Sequence, residues 1–270
     1  MALTDITQYR TKINSPAQVV EDLKAALTVI AGRPSSLFLT TPFAGAAPTT
    51  AVVPTNSRAN GFLGQQNAGS PKLRLGRVTA SCSAIGTWLL CDRLSHQGGL
   101  SGIVATSQTT NLPTAALTRY TSGVGVWAAI EIYTQIGTTA STFTVTYVDQ
   151  DGNTGNTSIA QPIGATNFRE AGRLLPILPA AGDYGIRSVS EVTVGGGSTG
   201  TAGNFGVTLF KPLLALPMNV VNNVGVFDPL TVLGGQMEEI FDNACLFWVA
   251  IMPSSTTTGV LAAEVPFFED

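Results

Sequence analysis

Alternation of apolar and polar residues dominates the chain after residue 72. The stretches "VGVWAAIEIYTQIG" and "TFTVTYV" are rich in β-branched and aromatic residues, and similar stretches begin at residues 184, 204 and 245. Clusters of Gly, Pro and Asn separate them at the intervals typical of sandwiches and barrels. Because no long helical pattern alternates with them, a parallel α/β sheet is disfavoured. The pattern predicts a mainly β fold, an antiparallel jelly-roll-like sandwich over residues 71–270.

A helical pattern precedes these strands. Ser15 and Gln18 have the spacing of a capping box, with a proline between them at the first helical position. Apolar residues then recur at intervals of three and four as far as Ile30, and Gly32 follows as a stop signal. The pattern predicts one amphipathic helix within an N-terminal helical segment, residues 1–34.

Residues 35–70 are rich in Pro, Ala, Thr and Gly and show little periodicity. A loop of this length inside a compact domain is unusual. It is either a disordered linker or an extended arm that a neighbouring subunit orders, and we favour the arm. Four aromatic side chains of the arm and the C-terminal tail are candidate interface anchors, with packing against their own domain as the alternative: Phe43, Phe62, Phe267 and Phe268.

The composition restricts the possible partners. The sequence is 44% hydrophobic but only 11% charged, against roughly 25% charged in an average soluble domain. Polar residues, Gly or Pro interrupt every apolar run before the ~20 residues that a membrane-spanning helix requires. A net charge of −3 argues against nucleic-acid binding, which needs a basic surface. A neutral surface of Ser, Thr, Asn and Gly can be buried without desolvating charge, so the composition favours a subunit of an assembly.

Two aspartates and an asparagine spaced one residue apart suggest either a calcium loop or a hairpin tip. Counted from Asp149, an EF-hand loop requires Gly at its sixth position and Glu at its twelfth. The sequence has Thr154 and Ala160 there. Asp151 and Gly152 form instead the dipeptide that tight β-hairpin turns prefer. We therefore predict a hairpin, with a weak surface cation as the alternative.

No set of residues converges on a catalytic pattern. Gly196–Gly200 matches the Gly-x-Ser-x-Gly string, but a glycine-rich stretch follows where the nucleophile elbow needs a helix. His96 is the only histidine, which rules out a multi-histidine metal site, and we place it at a turn. Glu131 alternates outward from a strand without a second acid. We therefore predict no enzymatic activity, no catalytic or metal-binding residues and no cofactor.

The cysteines and tryptophans are predicted to be structural. An odd number of widely spaced cysteines does not form a disulfide framework and fits synthesis in a reducing cytoplasm, although one bridge between the first two is possible; they are Cys82, Cys91 and Cys245. Each tryptophan lies in an apolar, strand-like run, which favours the core over a sugar-stacking platform; they are Trp88, Trp127 and Trp248.

The middle third of the chain resembles a family. The stretches "LLCDRLSHQGGLSG" and "LPTAALTRYTSGVGVWAAIEIYTQIGTTASTFTVTYVDQDGNTG", from Leu89 to Asn156, resemble structural virion proteins of tailed bacteriophages. The likeness lies in the order of short pieces: "DRL" followed by Gly-Gly, "LTRYT" before "GVGV", and a Thr-rich strand that ends in a Gly-Asn turn. No catalytic motif defines the group, so the resemblance transfers no active residue.

The resemblance implies a capsid-associated protein that is made in the host cytoplasm and located on the capsid surface. We expect a decoration or cement protein that binds the major capsid protein and its own copies, as a homotrimer, and that binds neither nucleic acid nor membrane. Two alternatives stay open. One is a tail or baseplate component, and the other is a carbohydrate-binding β-sandwich module.

Overall fold

The computed structural model describes residues 6–70, 72–232, 237–254 and 256–269. Numbered along the chain, the strands within these residues are β1 (Gln18–Lys24), β2 (Pro34–Ser36), β3 (Leu73–Leu75), β4 (Val78–Cys82), β5 (Gly86–Leu100), β6 (Ser107–Thr109), β7 (Trp127–Thr134), β8 (Ser141–Asp149), β9 (Asn156–Thr157), β10 (Gln161–Ile163), β11 (Leu174–Pro176), β12 (Ile186–Val194), β13 (Asn204–Met218), β14 (Val224–Phe227), β15 (Glu239–Ile240), β16 (Leu246–Ile251) and β17 (Leu261–Glu269). The helices are α1 (Ile6–Asn14) and α2 (Pro229–Val232), with short 3-10 turns at Leu37–Leu39, Arg58–Asn60 and Leu112–Thr114.

The strands form three antiparallel sheets. The first has the order β14-β4-β17-β3-β15, and β1 also pairs with β17. The second has the order β10-β8-β12-β6, with β9 also paired with β8. The third has the order β11-β7-β13-β5-β16-β2. Its two longest strands, β5 and β13, contain 15 residues each and pair with one another.

The third sheet closes on itself. Its edge strands are β2 and β11, and an antiparallel bridge joins Ser35 of β2 to Arg173, the residue before β11. Ser36 N–H donates a hydrogen bond of 2.7 Å to the carbonyl of Gly172. The Arg173 guanidinium also donates to Ser35 Oγ at 2.7 Å. An unpaired sheet edge is a place where another chain could add a strand. The closure leaves no such edge along this part of the sheet.

Three apolar clusters hold the sheets together. One face of the third sheet packs partly on the first sheet, and Trp248 and Val265 belong to the apolar cluster between them. The rest of that face packs on the second sheet, and Val207 and Phe143 belong to the cluster there. The opposite face carries the third cluster, which also includes two side chains from the 35–70 segment: Phe38, Phe62, Cys91, Ala129, Tyr133, Leu174, Phe210, Cys245, Phe247 and Val249.

The helix predicted from residue 15 onward is wrong. Residues 18–24 form β1, which pairs with β17 over its whole length. Val20, Asp22 and Lys24 point inward, so burial alternates with a period of two. The apolar positions of this stretch satisfy a helical period as well. Pairing with a strand far away in the sequence decides between helix and strand for this stretch. A local pattern does not contain that information.

The 35–70 segment packs against its own chain. Val52 and His96 exchange two backbone hydrogen bonds of 3.0 Å, and Gly98 N–H donates to the carbonyl of Pro48 at 2.8 Å. Leu63 N–H donates to the carbonyl of Leu246 at 3.0 Å. The chain itself therefore orders this segment, although it contains little regular structure.

The prediction of a mainly β, antiparallel fold is confirmed. The jelly-roll arrangement is not confirmed, because the strands are divided among three sheets rather than two facing layers. The segments before residue 71 supply β1 and β2, which belong to the same sheets as strands from the C-terminal half. No helix among the described residues is long and apolar enough to cross a membrane.

Candidate interaction surface

The four phenylalanines predicted as interface anchors differ in their exposure to solvent. Phe62, Phe267 and Phe268 are buried in the chain's own core, so packing against their own domain is the interpretation that holds for these three. Phe43 is 46% exposed. It is a non-glycine residue in the left-handed region, with φ of +59°, a conformation that costs energy and is often found at functional positions.

The outer face of the first sheet exposes several aliphatic side chains near Phe43. In β1, β4, β14 and β17 alternate residues point away from the core. The strand register places Leu23, Ala262, Ser81 and Val224 in one row across the four strands. Val224 is 60% exposed, and Val19, Leu23 and Val226 are also exposed. We call this surface, with Val19, Leu23, Val224 and Val226 as its apolar residues, the valine face.

Phe43 adjoins the valine face at the edge strand β1. The Arg58 guanidinium lies over the Phe43 ring at 4.8 Å from its centroid and donates a hydrogen bond to the carbonyl of Glu21. Lys24 Nζ donates to the carbonyls of Pro42 and Phe43 at 3.4 and 3.3 Å. These contacts fix Phe43 beside β1. A shallow groove of about 430 Å³ runs over the same face.

The acidic residues of the valine face lie at its centre. Glu21 in β1 and Glu264 in β17 are direct cross-strand partners, and both are exposed. Thr79 and Val226 continue the same row. Directly opposed side chains on one face have Cβ atoms about 4.5–5.5 Å apart, so the two acidic side chains leave the sheet side by side.

A second apolar surface surrounds Trp127 at the start of β7. The prediction that all three tryptophans are core residues is confirmed for Trp88 and Trp248 and is wrong for Trp127, which is 53% exposed. Together with Leu178 and Tyr184, which are also exposed, Trp127 lines a groove of about 270 Å³. Trp127 also lines a cavity of about 70 Å³ whose walls come from all six strands of the closed third sheet.

The prediction that Glu131 points outward and alone is wrong. Glu131 is fully buried and forms a two-point ion pair with Arg93, with Nη1–Oε2 and Nη2–Oε1 distances of 2.6 and 3.0 Å. The guanidinium lies between the rings of Phe38 and Phe247, at 4.1 and 4.4 Å from their centroids. The strand pattern correctly placed Glu131 on one face of β7, opposite its neighbours in the chain. It did not predict that the sheet closes, and the closure makes the face that carries Glu131 an interior face.

His96 belongs to the same buried network and lies within β5, so the prediction of a turn is wrong. Its Nδ1 lies 3.0 Å from Arg93 Nη1 and 3.1 Å from Tyr133 Oη. A guanidinium can only donate, so Nδ1 is an acceptor. Burial and then the charge of Arg93 lower the pKa of His96 well below its ordinary value. His96 is therefore a neutral structural residue that helps to hold Arg93.

A second buried ion pair lies next to the first. Arg119 Nε and Nη2 donate to the two carboxylate oxygens of Asp92 at 2.8 and 2.9 Å. Asp92 Oδ1 also accepts the backbone N–H of Cys245 at 2.8 Å, and Arg119 donates to the carbonyl of Arg93 at 3.0 Å. The two pairs are joined through the backbone of β5, so they position the same central strand.

The Asp149 loop is the predicted hairpin tip between β8 and β9. Asp149 Oδ1 accepts the backbone N–H groups of Asp151 and Asn153 at 2.8 and 2.9 Å. Its Oδ2 accepts the side-chain amides of Asn153 and Asn156 at 2.8 and 3.2 Å. Desolvation raises the pKa of Asp149, but these hydrogen bonds outweigh it, and the pKa is lowered. Gly152 has φ of +89°, as the turn requires.

The remaining sequence candidates are structural in the described residues. The three cysteines are free and buried, so no Cys82–Cys91 bridge forms. Thr199, the fourth residue of the Gly196–Gly200 string, is buried and donates from its hydroxyl to the carbonyl of Gly102 at 2.9 Å. Among the residues that the structure describes, no three His, Cys, Asp or Glu side chains come together as a metal site.

Comparison with known proteins places the chain in no family. No family model matches, and no curated protein matches. Among solved structures, the infectious bursal disease virus VP2 subviral particle is 10% identical, with 98% of this chain and 86% of that chain covered and a TM-score of 0.18. The Gt strain of the same virus is 10% identical, with 94% and 81% covered and a TM-score of 0.17. TM-scores this low establish no common fold, and the resemblance to tailed-phage virion proteins stays a prediction.

Proposed function

We propose that this chain is a non-enzymatic structural protein of a virus particle. It acts as a decoration or cement protein that binds the major capsid protein and its own copies on the outside of the shell. The observation that carries the proposal is the valine face, a sheet surface whose outer strands expose aliphatic side chains that the chain leaves uncovered.

The valine face departs from the usual rule for antiparallel sheets. Such a sheet commonly packs one face against the core and exposes the other to solvent, and the solvent-exposed face is polar. Here Leu23, Val224 and Val226 occupy water-facing positions of the first sheet and are exposed. Exposed aliphatic residues on both outer strands of one sheet face, around a polar centre, are a feature of protein interaction sites. Binding to the shell would bury it.

The composition supports the same function. Only 11% of the residues are charged, so most of the chain's surface can be buried without desolvating charge. Phe43 stands at the edge of the valine face as a half-exposed aromatic side chain, the type that often dominates interface energies. Many copies on one shell would add avidity to a modest single contact. We propose a homotrimer as the unit that binds.

The experiment measures binding of the purified chain to shells assembled without it. The double variant Val224→Thr/Val226→Thr keeps β-branched residues but removes two apolar surfaces. We expect it to unfold at the wild-type temperature and to bind shells at least about tenfold more weakly. Ile103→Thr, at another exposed aliphatic residue, is the matched control and should bind normally. Wild-type binding by the double variant would contradict the proposal.

The groove beside Trp127 favours a carbohydrate-binding module as the second candidate function. Trp127 and Tyr184 are exposed aromatic residues that line one groove, and sugars stack on such rings. A glycan array probed with the wild-type chain and with Trp127→Ala tests this candidate. A signal that the variant loses would support it.

The tail or baseplate alternative is tested by locating the protein in an image of the native particle.

A further inference from the structure

The valine face contains an unbalanced pair of negative charges. Glu21 and Glu264 are opposite one another in the pairing of β1 with β17. In the part of the chain that the structure describes, neither carboxylate makes a hydrogen bond or an ion pair. Like charges directly opposite each other in a sheet are destabilising. The isolated chain therefore contains an electrostatic repulsion that it does not relieve itself.

The cation that lines the same groove is already engaged elsewhere. Arg58 lines the same groove, but its guanidinium lies over the Phe43 ring and donates to the main-chain carbonyl of Glu21 rather than to its carboxylate. Around the two carboxylates the face is apolar or neutral. Leu23 and Val19 lie two positions away along β1, and Thr79 lies next to Glu264 in the cross-strand row.

We infer that the occupant of the valine face is a protein surface carrying an arginine or lysine flanked by aliphatic residues, with the cation placed between Glu21 and Glu264. This inference rests on the proposed function, and it assigns that surface to the shell protein. The aliphatic residues would cover the valines and exclude water. Once water is excluded, the attraction between a cation and the two carboxylates is strongest. Arginine is the cationic residue enriched at such contacts.

A second copy related by two-fold symmetry does not fit this face. A two-fold contact brings the same patch of both copies together. A contact centred on the glutamate pair would then bring four carboxylates together, while both Arg58 guanidinium groups stay engaged with Phe43 and the main chain. Juxtaposed like charges cost several kcal/mol. The charge pattern therefore favours a different protein over a symmetric dimer.

The experiment compares folding and binding in variants that change the charge. Glu21→Gln/Glu264→Gln removes both charges, and Glu264→Lys creates an attractive pair with Glu21. We expect both variants to unfold at the wild-type temperature or above it, because the repulsion is relieved. We expect both to bind shells assembled without the protein at least about tenfold more weakly, with a weaker dependence on salt. Glu191→Gln, on β12 of the second sheet, is the control and should bind like the wild type.

The outcomes separate this inference from the proposed function. If the wild-type chain does not bind shells at all, the proposed function fails. If the wild type binds and the charge variants bind equally well, the inference fails while the proposed function stands. If the charge variants lose self-association in sedimentation but still bind shells, the occupant is another copy of this chain, and the inference is overturned.

Discussion

Arg93 and Glu131 form a buried, two-point ion pair at the centre of the closed third sheet, with both side chains fully excluded from solvent. Ser36 Oγ lies 3.4 Å from Arg93 Nη2, so the pair also contacts the edge strand β2 at the point where the sheet closes.

Breaking this pair should destabilise the fold strongly. Glu131→Leu leaves the Arg93 guanidinium buried without its carboxylate, and loss of one partner of a buried pair typically costs about 3–5 kcal/mol. Arg93→Met/Glu131→Leu removes both charges and should recover most of that loss. Urea denaturation followed by circular dichroism measures both free energies of unfolding. Equal stability of the single variant and the wild type would contradict this prediction.

Stability should fall as the pH drops below the unfolded pKa of histidine. Burial and the neighbouring Arg93 charge depress the pKa of His96 in the folded chain, so below about pH 6.5 the unfolded state binds a proton that the folded state does not. The free energy of unfolding should decrease by up to about 1.4 kcal/mol per pH unit there. His96 is the only histidine, and His96→Gln should remove this dependence. The measurement is urea denaturation between pH 5 and 8.

The tryptophans should differ in their access to solvent. Trp88 and Trp248 are fully buried, whereas Trp127 is largely exposed. Acrylamide should quench one component of the intrinsic fluorescence strongly and leave the remainder nearly unaffected. Trp127→Phe should abolish the quenched component and change the unfolding temperature little. A strongly quenched component that persists in this variant would show that a second tryptophan is accessible.

The cysteine thiols should be unreactive in the folded protein. Burial raises the pKa of Cys245 to about 12 and raises the pKa of Cys91 as well, while Cys82 is also buried. The thiolate is the reactive form of cysteine. The raised pKa values keep these thiols protonated, and burial keeps the reagent away from them. Ellman's reagent should label no thiol under native conditions at pH 8 and all three in urea. Rapid labelling of the native chain would contradict the burial of these residues.

The sequence predicted those features that depend on neighbours along the chain. The alternation from Phe143 to Tyr147 and the Asp-Gly turn after it contain all the information that the β8–β9 hairpin needs. The β character of β7, β12, β13 and β16 was likewise predictable, because β-branched and aromatic residues dominate those stretches.

Features that depend on distant partners were not predictable. Residues 18–24 carry a pattern that fits helix and strand, and β17 decides the outcome. Glu131 lies on an alternating strand whose second face becomes interior only because Ser35 meets Arg173 and the sheet closes. Trp127 lies in an apolar run like the other tryptophans, but it is the first residue of its strand and emerges at the sheet end.

The candidate interaction surface was predictable only in part. Phe43 was among the predicted anchors and remains exposed, while Phe62, Phe267 and Phe268 are buried. The valine face was missed because its residues come from four strands that are far apart in the sequence. A signal was present in β14, where two valines alternate with glycine and phenylalanine in a short strand, but the side that faces water depends on its pairing with β4.

The pairing of β1 with β17 has a consequence for synthesis of the protein. These two strands lie near opposite ends of the described chain, and contacts between such distant residues form slowly. A ribosome must release residues 261–267 before β1 can find its partner. Because Glu21 and Glu264 come from these same two strands, a polypeptide that ends before residue 261 does not assemble the valine face.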